Sequence, residues 1–227
     1  MPQAVRRWAA VAVVLAAACQ HTAPLTHAGV LPRASAAPCS RARVPAGAVP
    51  VPLVMDSDGD GRPEHLFYDG GTGRLVVVFG SGGTFGFVAP TAKPYRAMVL
   101  PGPLVSHHGD VLVLVIDESF DAFGEDAVPF VQQGCVLDSL EDAQGQPFSL
   151  QVGVDDTSGT ATGFRCTGGL LVRTSASARS RSRLTTPFRI TGTTVVSEAV
   201  RHTTIAARSY AGAGTASCGS HRPVDVG

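Results

Sequence analysis

The segment between residues 56 and 64 carries acidic residues whose types and spacing suit a metal ion. Three aspartates stand at alternate positions, a glycine follows the third, and a glutamate occupies the ninth position. Calcium is held by about six to eight oxygen ligands in a flexible cage, and a tight turn directs alternate carboxylates toward one centre. The spacing therefore predicts a structural Ca²⁺ site formed by Asp56, Asp58, Asp60, the backbone carbonyl of Arg62, and Glu64.

Two alternatives to this calcium site are a solvated acidic turn and an EF-hand. A solvated acidic turn would bind no ion, but carboxylates this close together repel one another unless a cation lies between them. An EF-hand is disfavoured, because Phe67 stands where that loop requires glutamate and because the flanking sequence lacks a helical apolar period. We therefore expect a calcium loop of a different kind.

The acidic segment leads directly into a predicted strand at His65–Tyr68. It resembles the calcium loops of FG-GAP and VCBS-type β-propeller repeats, which have the form Asp-x-Asp-Gly-Asp-Gly-x-x-Asp. The resemblance covers residues 54–88 in one copy, and Glu64 stands where the repeat usually has aspartate. It implies a calcium-bound structural or binding module in an exported protein, similar to small exported lipoproteins of actinobacteria.

The N-terminus has the parts of an export signal. Two arginines precede an unbroken apolar stretch at residues 8–18, which is too short to cross a bilayer. Residues 15–19, Leu-Ala-Ala-Ala-Cys, resemble the lipobox of bacterial lipoproteins. We predict a signal peptide at 1–18 and lipidation of Cys19, which would place the protein on the outer face of the cytoplasmic membrane. Ordinary cleavage without lipid attachment would instead make it a secreted protein.

The chain has five cysteines. Assigning Cys19 to a lipid leaves four, which allow three pairings into two disulfides in an oxidising compartment. We predict Cys135–Cys166, because these residues fall in equivalent positions of neighbouring repeat units. We also predict Cys39–Cys218, because this pair ties the two ends of the folded region.

Beyond residue 50 the sequence consists of short apolar and β-branched runs separated by glycine, proline and Asx residues. This pattern indicates strands rather than helices. The continuous apolar runs Leu75–Phe79 and Val111–Ile116 are typical of strands buried on both faces. The sequence predicts an all-β fold of antiparallel four-stranded units in a small or partial propeller-like arrangement, with a β-sandwich or an irregular barrel as alternatives.

The strands fall into three weak repeat units. In the first unit they are expected near 52–56, 64–69, 74–79 and 84–89. The predicted organisation is a signal peptide at 1–18, a lipid-anchored Ala/Pro-rich tether at 19–50, a β-domain at 51–218 with units at 54–90, 95–153 and 160–210, and a tail at 219–227.

Three other polar groups are candidate sites. We interpret His107 and His108 as part of a turn rather than as a metal or acid–base site, because adjacent strand residues point to opposite faces. An acidic cluster is interpreted as a solvated loop, with a second cation site or contact with a basic partner as the alternative; it comprises Asp117, Glu118, Asp121, Glu125 and Asp126. A basic group is interpreted as a solvated hairpin tip, with contact to anionic polymers or lipid headgroups as the alternative; it comprises Arg173, Arg179, Arg181 and Arg183.

Composition narrows the classes of function. Basic and acidic residues balance at 18 each, which argues against a nucleic-acid-binding protein. The sequence lacks nucleophile-elbow, zinc-protease and phosphate-loop motifs, so we predict no catalytic residue. We expect a monomeric envelope lipoprotein that presents a calcium-stabilised β-domain to an unknown envelope protein or glycan and touches the membrane only through its lipid. The alternative is an envelope hydrolase acting on cell-wall carbohydrate or peptide.

Overall fold

The computed structural model describes residues 43–80, 84–88, 94–116, 124–134 and 136–226. Strand is the dominant element. Within the described ranges, helix is confined to three single turns of 3₁₀ helix at Gly102–Leu104, Ala207–Ser209 and Ala211–Ala213. The predicted all-β class with antiparallel sheets is confirmed.

The N-terminal sheet has four antiparallel strands paired in chain order. In the first strand the side chains of Val51, Leu53 and Met55 are buried while the residues between them are exposed, which is the alternation of a half-buried strand. The sequence placed all four strands correctly to within a few residues. They are β1 (Val49–Met55), β2 (Glu64–Asp69), β3 (Arg74–Val78) and β4 (Thr84–Val88).

The remaining strands form one thirteen-stranded sheet. Its long antiparallel members are β5 (Pro94–Leu100), β6 (Val111–Ile116), β7 (Glu125–Gln133), β8 (Val136–Ser139), β10 (Leu150–Asp155), β11 (Thr160–Thr167), β12 (Leu170–Ser177), β13 (Ser182–Thr191), β14 (Thr194–Ser197) and β15 (Arg201–Thr204). Three two-residue strands complete it: β9 (Glu141–Asp142), β16 (Ala216–Ser217) and β17 (Val224–Asp225).

Strand β10 joins the second predicted unit to the third. Its first half, Leu150–Val152, pairs with β7, and its second half, Gly153–Asp155, pairs with β11. The strands of these two units are therefore hydrogen-bonded into one sheet. The first unit keeps a sheet of its own. This layout is compatible with both the sandwich and the partial propeller-like arrangement.

Strands β5, β6 and β7 form a middle layer with a hydrophobic core on each side. Leu112 and Leu114 contribute to the core shared with β1, β2 and β3. Val113, which points the other way, contributes to the core shared with β10 to β14. Residues 111–115 are all almost inaccessible to solvent. The prediction that the apolar run of β6 is buried on both faces is confirmed.

The C-terminal residues belong to the β-domain rather than to a tail. Strand β17 pairs antiparallel with β5 through Val224↔Ala97 and Asp225↔Arg96. Val226 is buried in the core between the two sheets. The predicted end of the domain at residue 218 is therefore wrong, because a short polar stretch returns the chain to the edge of the middle layer.

The described disulfide joins Cys166 to Cys218. Both predicted pairings, Cys135–Cys166 and Cys39–Cys218, are therefore wrong. The reason is that β16 runs parallel to β11, so the residues that follow Arg165 and Ser217 lie side by side, with their Cα atoms 4.7 Å apart. Cys39 and Cys135, together with the predicted lipidation site Cys19, lie outside the described residues.

Tryptic mapping under non-reducing conditions tests this disulfide. We expect peptide 166–173 cross-linked to peptide 209–227, in the native chain and in a Cys39→Ser/Cys135→Ser control. Recovery of peptide 166–173 joined to the peptide that holds Cys135 would contradict the pairing. Replacing both Cys166 and Cys218 with alanine should lower the free energy of unfolding by up to about 4 kcal/mol, because the closed loop spans 52 residues.

Candidate metal centre

The acidic loop connects β1 to β2 and brings its carboxylates together. Met55 ends β1 and Glu64 begins β2, so the first and last acidic residues are held at neighbouring strand ends. Gly59 and Gly61 adopt the left-handed conformation, with φ of 70° and 82°, which lets the chain turn tightly between them. One oxygen from each of four carboxylates lies within 4.8 Å of the others, from Asp56, Asp58, Asp60 and Glu64.

Backbone N–H groups inside the loop hold three of these carboxylates in place. The amide of Asp60 donates to Asp58 Oδ1 at 3.0 Å, that of Gly61 to Asp56 Oδ2 at 3.1 Å, and that of Arg62 to Asp60 Oδ1 at 2.7 Å. Each bond engages one oxygen and leaves the second oxygen of that carboxylate for another partner. The loop is thus shaped by its own amides, and its acids converge as the spacing predicted.

Glu64 is the buried member of the cluster, with only 1% of its surface exposed. Its Oε2 accepts hydrogen bonds from the amide and the hydroxyl of Ser57, at 2.6 and 3.0 Å. Burial, together with the charges of Asp58 and Asp56, raises the pKa of the Glu64 carboxyl to about 7, against the lowering effect of the Ser57 hydrogen bonds. Burial and the neighbouring carboxylates of Asp60 and Asp56 also raise the pKa of Asp58.

One carboxylate oxygen of the loop lacks a partner. Asp56 Oδ1 is buried and accepts no hydrogen bond from the described residues. A buried acceptor without a donor costs free energy, and a cation placed among the four carboxylates would remove that cost. The donor set, which consists entirely of carboxylate oxygens, can bind a metal ion.

The turn between β5 and β6 is hydrogen-bonded to the start of the acidic loop. The carboxylate of Asp110 accepts hydrogen bonds from the amide of Asp56 at 2.8 Å and from that of Gly102 at 2.9 Å. The amide of Asp110 in turn donates to the carbonyl of Asp56 at 2.8 Å. His107 and His108 lie in this turn, as predicted. His107 Nδ1 lies 2.7 Å from the carbonyl oxygen of Gly109.

Sequence reasoning missed two residues that position the loop, Asp110 and Gln132. The Ser57 hydroxyl hydrogen-bonds to the Gln132 side chain on β7, which ties the loop to the middle layer. Neither residue carries a sequence signal of this role, because each lies more than 50 positions from its partner. The position of the Arg62 carbonyl relative to the cluster stays a prediction.

Among the described residues, no member of the other predicted groups belongs to the four-carboxylate cluster. Of the acidic cluster between residues 117 and 126, Glu125 and Asp126 are described; Glu125 forms an ion pair with Arg96, and burial raises the pKa of Asp126. Asp117, Glu118 and Asp121 lie outside the described residues. Arg179 and Arg181 occupy the β12–β13 hairpin tip, as predicted, while the flanking basic residues, Arg173 and Arg183, lie on the strands themselves.

Comparison with known proteins gives no relative from which to transfer a function. No family model matches the sequence, and neither the curated proteins nor the solved structures contain a significant match. In the described part of the chain, no helix is long and apolar enough to cross a membrane. The chemistry of this chain has to be argued from its own residues.

Replacing Gly109 tests the contact between the β5–β6 turn and the acidic loop. A Cβ at this position would lie 2.0 Å from the carbonyl oxygen of Ser57, which is backbone and cannot move aside alone. We expect Gly109→Ala to lower the free energy of unfolding by about 1–3 kcal/mol, measured by denaturant titration. Gly47→Ala is the matched control, because a Cβ there meets no atom within 4 Å. Equal stability of the two variants would contradict the contact.

Proposed function

We propose that this protein is an exported cell-envelope lipoprotein that presents a calcium-stabilised β-domain as a binding or structural module without catalysis. The observation that supports the calcium site best is the unpartnered, buried Oδ1 of Asp56 within the four-carboxylate cluster. The loop between β1 and β2 is then a built cation site rather than a solvated acidic turn.

Calcium is the ion that the donor set favours. Carboxylate oxygens are hard ligands, and a cluster without sulfur or nitrogen donors suits calcium or magnesium better than zinc. Magnesium demands near-ideal octahedral geometry and keeps several waters, whereas calcium accepts irregular cages. Four acids on one short loop, with their directions fixed by backbone amides, form an irregular cage of this kind.

The proposed role of the ion is structural. The loop joins two strands of the N-terminal sheet, and Ser57 links it to Gln132 on the middle layer while Asp56 is tied to Asp110. An ion that draws the carboxylates together would therefore stiffen the junction between the two sheets. Because it would bind the folded state alone, it would add stability that grows with free ion concentration.

Thermal unfolding of the full chain with calcium or with a chelator tests the site. At an ion concentration of about 100 times the dissociation constant, binding adds about 2.7 kcal/mol. For a chain of this size we expect the melting temperature to rise by about 5–10 °C. Magnesium at the same concentration should produce a smaller rise.

The variant Asp58→Asn makes this test more specific. Its effect on stability should differ between the calcium-free and the calcium-loaded protein. Without calcium the variant should be at least as stable as the native protein, since it removes a charge that burial and two neighbouring carboxylates disfavour. With calcium, the variant should lose most of the rise in melting temperature that the native protein shows. Asp138→Asn, at an exposed position of β8, is the matched control. A native protein that does not respond to calcium would overturn the proposed site.

The envelope location rests on residues 1–19, outside the described part of the chain, and has its own test. We expect the mature protein, produced in a bacterial host, to begin at Cys19 and to carry a diacylglycerol mass, and Cys19→Ser to move it from the detergent phase to the aqueous phase. A mature protein that begins at residue 19 without added lipid mass would support the secreted alternative and remove the anchor from the proposal.

The ligand of the domain is proposed to be an envelope protein or a glycan. The hydrolase alternative depended on the acidic cluster between residues 117 and 126 meeting His107 and His108. The described members of that cluster are engaged elsewhere or lie on β7, where Glu125 forms an ion pair with Arg96. We propose the binding or structural role ahead of the hydrolase.

A further inference from the structure

A small cavity lies on one face of the β11–β12–β13 sheet, away from the acidic loop in the chain. Gly163, Thr174 and Thr185 are cross-strand neighbours on this face, as are Ala176 and Arg183. The segment 212–217 crosses the same face so closely that a Cβ on Gly163 would lie 2.3 Å from the Thr215 carbonyl oxygen. Residues of the strands and of this segment together line a cavity of about 210 Å³ that is partly open to solvent.

The lining of this cavity is basic and rich in hydroxyl groups. Its polar side chains are Arg165, Thr174, Arg183, Thr215 and Ser217, and none of the described residues in its wall is acidic. Neither arginine forms an ion pair with an acidic residue in the described part of the chain. Two guanidinium groups without an acidic partner among the described residues therefore line one cavity, which favours a negatively charged occupant.

The Arg183 side chain gives a second, independent observation in favour of an anion, because one of its hydrogen-bond donors has no acceptor among the described residues. Its Nε is buried and has no hydrogen-bond partner among the described residues. Its Nη2 reaches the carbonyl oxygen of Ser209 only at 3.5 Å, the outer limit of a hydrogen bond. A small rotation of the guanidinium toward the cavity would let Nε and Nη donate together to one anion, the bidentate geometry that arginine forms with phosphate and carboxylate.

We propose that this cavity, formed by Arg165, Arg183 and the hydroxyl groups around them, binds a small tetrahedral oxyanion, namely a phosphate or sulfate group. The cavity volume is smaller than the roughly 300–1,000 Å³ of sites for drug-sized ligands. The cavity therefore suits a single phosphate or sulfate group rather than a whole drug-sized molecule. Donors from three strands and from segment 212–217 line the space, which suits a tetrahedral anion better than a planar carboxylate. The group is either a free ion or the end of a phosphate monoester.

Calorimetric titration of the full, oxidised chain tests the anion site. Sodium phosphate, sulfate, acetate and glucose 1-phosphate are titrated at constant ionic strength in chelator, so that the result does not depend on the proposed calcium site. We expect phosphate and sulfate to bind more tightly than acetate. Binding of glucose 1-phosphate identifies the end of a monoester as a ligand, and its exclusion identifies the free ion. No binding of phosphate or sulfate would overturn the proposal.

Arginine variants distinguish a built site from general attraction to positive charge. Arg183→Gln should weaken phosphate binding by about tenfold or more, as expected for loss of a charge-assisted bidentate contact. Arg165→Gln tests the same cavity at an exposed position, where folding is not at stake. Arg179→Gln at the hairpin tip carries the same change of charge and should leave binding unchanged. An equal loss in all three variants would overturn the proposal.

Discussion

Strands β5, β6 and β7 are buried on both faces, and this constraint organises the rest of the fold. Leu112 and Val113 point in opposite directions and are both fully inaccessible. A strand of that kind needs an apolar cover on each side, which β1–β3 supply on one side and β10–β14 on the other. The same arrangement positions the acidic loop between β1 and β2. In the turn between β5 and β6, Asp110 and Gly109 contact residues 56 and 57 of that loop.

Charge is concentrated where the two sheets meet. Drawing four carboxylates to within 4.8 Å of one another is unfavourable without a cation, and placing Glu64 among buried residues adds a desolvation cost. The described hydrogen bonds offset part of this cost, through Ser57 for Glu64 and through backbone amides for the aspartates. They leave Asp56 Oδ1 without a partner. A cation bound among the four carboxylates would offset the remaining cost.

The sequence was informative where the signal is local. The apolar runs of β3 and β6 predicted buried strands, and the spacing of the acids after Met55 predicted that their carboxylates converge. Each of these signals depends on residues close together in the chain. The disulfide failed because its geometry is set by β16, a strand of two residues that pairs parallel with β11. The support from Asp110 and Gln132 was missed for the same reason, since nothing in a single sequence shows which distant turn packs beneath a loop.

The Cys166–Cys218 disulfide connects the fold to the proposed anion cavity. The half-cystines directly follow Arg165 and Ser217, and both of those residues line the cavity. Segment 212–217, which covers the cavity, is held to the sheet by the short β16 pairing and by the bond from the Phe164 amide to the Thr215 carbonyl. A two-residue pairing alone is a weak attachment, so the covalent link adds to the packing of the buried residues Ala213 and Ala216 in holding this segment against the sheet. The disulfide therefore constrains both chain segments from which the cavity is built.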